Sequence, residues 1–421
     1  MKAGAEKLTM SKLEKTLYEG EPFSISQSDE YPGLVKAWGL GVLRQYLFYH
    51  LCLNKMMKNV KNKNLQMFLL LALFRLDSQE KDHAKLVNHL VDKAKALHLP
   101  SSTVNAVLRK YLLDKSKFAI KSRGVASIQY NMREDLLGRL KKQHSGWRDL
   151  VRTMQQEPRV CLKVNREKIS DQAFKEALND KSLAFVAGDV PGSIVLEKPQ
   201  NIQKIPGYEE GWFSVVSEAN QKLQSFLPSK TVSRVLDACA APGGKAMMLR
   251  EQYGPDVEIV ATDNDTTRLA TLEDNNKRLG LNLKCQQRDW LMENSEEEEG
   301  EFDLVWADVP CSATGVISKH PEIAVCSRDD VKNLPVQREI LKRLWSSLKP
   351  GGELVYTTCS LLEEENGAMV QWFLGQARDA EVIQVECEES GLPTAQHGRY
   401  FTSQHSHDYI FFCMLKKSVN S

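Results

Sequence analysis

From Val232 onward the chain repeats one rhythm: a short β-prone run, a glycine- or acid-bearing junction, then an amphipathic helical stretch. Strands are predicted over 234–238, 258–262, 283–287, 303–307 and 353–357. Helices are predicted over 268–279, with Leu269, Leu272 and Leu279 on one side, and over 339–348, with Ile340, Leu341, Leu344, Trp345 and Leu348. Parallel strands need long crossovers, and crossover helices cover both faces of the sheet they serve. The alternation therefore predicts an α/β domain with a mostly parallel sheet. Ligands in such domains bind beyond the carboxyl ends of the strands. The search for function is thereby confined to the junctions that follow these five runs.

The remaining sequence is of different character. A length of 421 residues exceeds one ordinary core, so two or three domains are expected. From Leu34 to about Phe118 the pattern is helical and poor in Gly and Pro. Leu86, Val87, Leu90, Val91, Ala94 and Leu97 form one stripe, and Val104, Val107, Leu108, Tyr111 and Leu112 form another after the breaker Pro100-Ser101-Ser102. Residues 1–30 read as polar, with Ser26 to Glu30 resembling a helix entry. Residues 151–230 mix a helix over 171–178, apolar runs at 160–164 and 193–196, and turns at Pro206-Gly207 and Gly211. The expected division is 1–150 helical bundle, 151–230 small α+β connector, 231–421 α/β domain. Glu296 to Glu299 reads as a solvated acidic loop.

Charge is unevenly shared. Residues 1–150 hold 26 Lys+Arg against 14 Asp+Glu, net +12, whereas residues 231–421 hold 19 against 31, net −12. A basic module that meets a polyanion, joined to an acidic module with another task, fits this asymmetry. Lys55, Lys58, Lys61, Lys63, Arg109, Lys110, Lys115, Lys117, Lys121 and Arg123 interleave with the helical pattern and are expected outside the core. The longest apolar run, Met67 to Phe74, is far short of the ~20 residues of a membrane span, and the N-terminus has no apolar signal region. The nine cysteines are odd in number and lack both CxxC and zinc spacing, so reduced thiols and no metal site are expected. These features predict a cytoplasmic protein, and the absence of a heptad seam predicts a monomer.

Four junctions carry chemistry. Asp237-Ala-Cys-Ala-Ala-Pro-Gly-Gly-Lys245 stands between a predicted strand and helix, where Gly243 and Gly244 admit close approach to the backbone. It is no phosphate loop, because Cys239 and Ala246 stand where that motif needs Gly and Ser/Thr. Asp263 ends the next strand, where an acid accepts hydrogen bonds from ribose hydroxyls in nucleotide-binding α/β folds. Asp289 follows the third strand and is placed for an adenine amine. Acids at successive strand ends without a phosphate loop suit a nucleoside carrying no phosphates, and S-adenosylmethionine, cationic at its sulfonium and amine, fits. The last two junctions are Ala307-Asp-Val-Pro-Cys-Ser312 and Tyr356-Thr-Thr-Cys-Ser360. Free Cys is usually buried packing. Two of them just past neighbouring strands, each followed by Ser, are instead candidates for adding covalently to a substrate.

Together these blocks closely resemble the NOL/NOP/Sun superfamily of RNA cytosine-5 methyltransferases. The resemblance spans about Tyr31 to Lys417. It takes in Gly39 to Arg44, Asn105 to Arg109, Leu162 to Arg166, Pro206 to Trp212, and Pro310-Cys-Ser-Ala-Thr-Gly-Val-Ile317 with His320-Pro321. It implies a Rossmann-like methyltransferase domain, with a NusB-like RNA-binding domain over 1–150. The implied substrate is an unpaired or loop cytosine of small-subunit ribosomal RNA. By the same resemblance Cys359 is the nucleophile and Cys311 assists product release. Asp308 hydrogen-bonds the cytosine edge, and Lys245 positions Asp308 or balances its charge. S-adenosylmethionine would be held by Cys239, Ala240, Ala241, Pro242, Gly243, Gly244, Lys245, Asp263, Arg268, Asp289 and Asp308. The chain departs from the family pattern at Val309, Arg288, Ala324-Val325 and Ser217-Glu218, where the relatives often carry Ala, Gly, Lys-Trp and Gln-Asp. Three alternatives stand beside this reading: Cys311 as nucleophile, as in DNA cytosine-5 methyltransferases; another RNA as substrate; and a catalytically silent ribosome-assembly factor.

Overall fold

A computed structural model describes residues 3–26, 29–57, 62–79, 81–229, 231–292, 299–385 and 397–419. Lys58, Lys61, Cys387, the middle of the Ser26–Glu30 segment and residues 296–298 of the acidic run lie outside the described residues. The chain forms two compact units, one of Met1–Lys142 with Lys319–Arg328, the other of Gln143–Ser318 with Asp329–Ser421.

The first unit is helical. Its helix Lys63–Asp77 is entered through Asn62, whose side chain accepts from the Leu65 amide at 3.0 Å. Leu65, Leu76 and every residue from Met67 to Leu73 are buried, as befits a helix enclosed by others. The segment read as polar contains the helix Ala3–Glu14, which buries Ala5, Thr9, Met10 and Leu13. Its Glu6 is fully buried and accepts from Arg75 at 3.0 Å, and that guanidinium also lies 4.8 Å from the Trp38 ring. A buried ion pair disguises a core stripe as a polar one. In the segment expected to enter a helix, Asp29 accepts from the Ser26 amide at 2.8 Å. The next helix, Pro32–Leu43, begins with Pro in its first turn. The one-turn helix Glu322–Val325 belongs to this unit, with the Ile323 and Ala324 carbonyls accepting from Arg133, both at 2.8 Å. Ala324 and Val325 are buried here, so this departure from the family pattern bears on packing rather than on RNA contact.

The second unit holds two sheets. Strands β1 (Val160–Val164), β2 (Phe185–Ala187), β3 (Ser193–Leu196) and β4 (Phe213–Val215) pair antiparallel in the order β2-β3-β1-β4. The helix Asp171–Asp180 contributes Phe174 and Leu178 to their core, and Ser170 caps it.

The larger sheet comprises β5 (Arg234–Ala238), β6 (Glu258–Asp263), β7 (Lys284–Gln287), β8 (Phe302–Asp308), β9 (Leu348–Thr358), β10 (Ala380–Ile383), β11 (Arg399–Thr402) and β12 (Tyr409–Lys417). Their order is β10-β12-β9-β8-β5-β6-β7, with β11 also on β12. The five strands from β5 to β9 are parallel and correspond to the five predicted runs, whereas β12 enters antiparallel against β9. Leu348, placed on a helix by its spacing, opens β9; the helix is Leu334–Ser346. The antiparallel strands β10 to β12 were not expected. Tyr409 to Leu415 are all buried, so β12 shows no alternation of apolar and polar residues.

Arg250 fixes the helix that follows the glycine junction. It is buried in the helix Gly244–Tyr253 and donates to the carbonyls of Leu281 (2.7 Å), Val257 (2.9 Å), Asn282 (3.1 Å) and Gly254. Four carbonyls at loop ends are thus satisfied by one side chain.

Candidate active site

Strand order reverses at β5, because β6 lies on one side of it and β8 on the other. The crevice beyond such a switch point is where open α/β sheets bind ligands. The glycine junction leaves β5 here. Cys239 takes the left-handed conformation (φ 61°), and Ala240 donates to the Thr262 carbonyl at 2.8 Å. Gly243 (φ 105°) then begins the helix, with a Cβ position only 2.9 Å from Leu272 Cδ1. Glycine is required there for conformation.

Asp263, at the end of β6, is buried beneath this junction. One oxygen accepts from the Ala241 amide at 3.3 Å and the other from the Asp265 amide at 3.1 Å. Arg268 lies over it at 3.0 Å and is itself half exposed. Asp289 stands apart from this group: it is exposed, and its carboxylate accepts from the Leu291 amide at 3.0 Å, closing a turn after β7. The preceding Arg288 sets its guanidinium 5.2 Å from the Trp290 ring.

At the end of β8, Asp308 receives Lys245 Nζ on one oxygen at 2.6 Å and Thr357 Oγ1 on the other at 2.9 Å. Thr357 in turn accepts from Trp306 Nε1 at 3.0 Å. Burial depresses the Lys245 ammonium, but Asp308 beside it more than offsets this, and the net shift is upward. Lys245 is therefore a fixed cation.

The two junction cysteines meet, with Cys311 Sγ and Cys359 Sγ 3.4 Å apart. The Cys311 thiol is pushed well up, first by its hydrogen bond to Cys359, then by burial and by the Cys359 and Glu365 charges. This upward shift keeps Cys311 a thiol, within hydrogen-bond reach of the Cys359 sulfur. The serines after both cysteines lock the loops together: Ser312 Oγ and Ser360 Oγ are 3.0 Å apart, and the Ser312 amide donates to both Glu365 oxygens at 2.9 and 3.1 Å. Thr314 Oγ1 accepts from the Leu361 amide at 2.9 Å. Glu365, Thr314, Thr357 and Trp306 were given no role from sequence, and Ser312 and Ser360 were noted only as following the cysteines. In Glu363-Glu-Glu365 nothing marks one carboxylate as buried.

Gly315 passes directly under the Cys359 loop, its amide donating to the Cys359 carbonyl at 2.8 Å. A Cβ there would stand 2.4 Å from the Tyr409 oxygen and 2.9 Å from the Cys359 oxygen. Gly315→Ala is expected to displace Cys359 and lower kcat by about 10²-fold, a usual cost of misplacing a reacting group. Steady-state methyl transfer alongside calorimetric cofactor binding checks this; unchanged kcat would contradict it.

Residues 225–416 match the family described as 16S rRNA methyltransferase RsmB/F, and residues 134–203 match the ferredoxin-like domain of RsmF/B-like methyltransferases. The chain is also 33% identical over 394 residues to the ribosomal RNA small subunit methyltransferase B of Escherichia coli O1:K1 / APEC, covering 90% of this chain and 91% of that protein. The chain belongs to the RsmB/F family of 16S rRNA methyltransferases. The protein of that name from Shigella boydii serotype 4 (strain Sb227) matches at the same identity and coverage. Among solved structures, PH0851 superposes with a TM-score of 0.75 at 23% identity, over 93% of this chain and 92% of that one. NSun6 from Pyrococcus horikoshii with SFG gives 0.58 at 17% identity, over 69% and 99%. These likenesses agree with the Rossmann-like fold. As an RsmB/F protein, the chain is an S-adenosylmethionine-dependent methyltransferase of small-subunit ribosomal RNA. Among the described residues, no helix is long and apolar enough to cross a membrane.

The RsmB/F site suits this cofactor chemically. Both oxygens of Asp237 on β5 are buried and lack a hydrogen-bond partner. Asp263 and Asp308 add carboxylates at the ends of β6 and β8, suited to a cationic nucleoside. Asp237 opens the glycine junction read from the sequence, an acid inside the apolar run Val235-Leu236-Asp237-Ala238. Burial pushes its carboxyl up from 3.8 to about 8, helped by Asp308 and Asp263 and opposed by Lys245. The folded state therefore holds this proton more tightly than the unfolded chain. The resulting stability is present below pH 3.8 and is lost as pH rises through about 8. Asp237→Asn is expected to flatten the decline in Tm of the ligand-free protein between pH 5 and 8; parallel curves for the two proteins would refute this.

Proposed function

We propose that this RsmB/F protein methylates C5 of a cytosine in 16S rRNA through a covalent bond between Cys359 Sγ and C6 of the base. The approach of Cys311 and Cys359 to 3.4 Å, at the ends of neighbouring strands β8 and β9, is the observation that carries this reading. The unactivated C5 of cytosine is a poor nucleophile. When the Cys359 thiolate adds to C6, the C5=C6 electron pair is displaced into the ring and C5 becomes enamine-like. Asp308, oriented by Lys245 and Thr357, hydrogen-bonds the N3/N4 edge and steadies the charge that builds there. S-adenosylmethionine, when bound, supplies an electrophilic methyl group. Cys239 to Lys245, Asp263 and Arg268 are the residues proposed to hold it, with Asp289 on the adenine side; Arg268 must yield its place over Asp263 to the ribose hydroxyls. After methylation the C5 proton passes to a solvent water, the C5–H electron pair re-forms C5=C6, and the Sγ–C6 bond breaks with its electron pair returning to Cys359, so the ring regains conjugation. Cys311, the protonated partner, assists that breakdown.

A base inside a helix must be unstacked to reach such a crevice, at a cost of a few kcal/mol, so an unpaired or loop cytosine is the proposed target. The basic helical unit is proposed to hold flanking RNA. Bisulfite sequencing of 16S rRNA from cells with and without the gene tests the whole reading. One cytosine should resist conversion only when the protein is present. An identical conversion map in both, with methyl transfer by the purified protein to another atom, would overturn it.

A further inference from the structure

The helix Ser101–Ser122 turns Val104, Val107, Leu108, Tyr111 and Phe118 into the core of the helical unit. Its opposite side is composed differently from an ordinary solvated face. Arg109, Lys110, Leu113, Lys117, Ile120 and Lys121 are all exposed and recur every three or four residues, so they form one stripe. Leu113 is 79% exposed and Ile120 62%, large values for aliphatic side chains set between cations. Arg109 to Lys121 covers about 18 Å of helix at roughly 1.5 Å per residue, and the exposed Arg123 extends the charge beyond it.

The stripe carries little opposing charge. Asp114 pairs with Lys117 at 2.7 Å, whereas Arg109 donates to Asn105, an uncharged partner, at 2.9 Å. The neighbouring helix His83–Ala96 is also rich in lysine but carries less net charge, its Lys85, Lys93 and Lys95 standing with Asp82 and Asp92, Lys85 meeting Asp82 at 3.5 Å and Lys95 meeting Asp92 at 3.3 Å. A row of five cations, Arg109, Lys110, Lys117, Lys121 and Arg123, with the single acid Asp114 among them keeps a net positive charge and selects a polyanion. Exposed apolar side chains within that row select a partner with apolar surface between its charges. RNA has both, phosphates on its backbone and the faces of sugars and unpaired bases beside them.

We infer that this face of the helix Ser101–Ser122 is the surface by which the helical unit grips 16S rRNA. Arg109, Lys110, Lys117 and Lys121 neutralise phosphates, while Leu113 and Ile120 press on sugars or unpaired bases. The inference rests on ribosomal RNA being the substrate and goes beyond it by naming the docking surface.

The test uses the full-length protein and in vitro transcribed 16S rRNA, with affinity measured across a potassium chloride series. Lys110→Gln/Lys117→Gln/Lys121→Gln should reduce the slope of log K against log salt by about 2 and weaken binding roughly tenfold or more at low salt. Lys85→Gln/Lys93→Gln/Lys95→Gln removes the same charge from the other helix and should change the slope by less than half as much. Leu113→Ser should weaken binding several-fold with the slope unchanged, because no phosphate contact is lost. All the substituted positions are on the surface, and superimposable thermal melts confirm folding. Wild-type slope in the first variant, or an equal loss in the control, overturns the inference; the first result would assign the stripe to an acidic protein instead. Cytosine methylation by the wild-type protein on the same RNA is scored separately, so a failed functional reading is distinguishable from a wrong docking surface.

Discussion

Cys359→Ser is expected to lower methyl transfer by about 10⁴-fold or more, the scale on which enzymes lose rate when a nucleophile is removed. A serine hydroxyl remains almost wholly protonated at neutral pH and does not add to C6 at a useful rate. Cys311→Ser should behave differently. It retains the nucleophile but loses the partner proposed to break the adduct, so a protein–RNA complex stable to denaturing electrophoresis should accumulate. The contrast is decisive because the two thiols are only 3.4 Å apart and share one environment. If Cys359→Ser turned over while Cys311→Ser formed no adduct, the roles would be reversed.

Asp308→Asn is expected to lower kcat by about 10²–10³-fold, the range for losing one preorganised group that meets charge developing in a transition state. It should also change the pH profile. In the native protein Asp308 holds the Lys245 ammonium above its ordinary range against the effect of burial. Without that carboxylate burial dominates, the ammonium loses its proton at lower pH, and an alkaline fall in rate should move toward neutrality. Rates measured from pH 6 to 10 test this; a variant with an unshifted alkaline limb would show that Lys245 is held by something other than Asp308.

Much of this site was legible before the fold was known, for a physical reason. A parallel sheet concentrates function at the strand ends, and at those ends local sequence must satisfy local geometry. Gly243 must be glycine to start its helix against Leu272, and Asp263 must be small and acidic to receive the Ala241 amide. Such constraints act within a few residues and leave short motifs. The family resemblance added roles to Cys359, Cys311 and Asp308 that strand-end position alone left open.

Other features left no local trace. Glu6 looks like any surface glutamate until Arg75, 69 residues away, is packed against it. Glu365 lies in a run of three glutamates, yet only it turns inward to hold the Ser312 amide. Strand β12 is apolar throughout, so its period identifies neither strand nor direction, and its antiparallel entry depends on β9 already being in place.

By itself the sequence determined the strand–junction–helix order, the acidic junction ends, the two cysteine loops and the contrast between a basic and an acidic half. Those are properties of residues near one another in the chain, where dihedral preference, periodicity and charge act directly. The tertiary structure alone decided that Cys311 and Cys359 stand 3.4 Å apart, that Lys245 lies 2.6 Å from Asp308, and that Leu113 and Ile120 remain uncovered among lysines. These depend on distances between segments up to 63 residues apart, or on which face of a helix the core consumes, and short-range chemistry does not encode either.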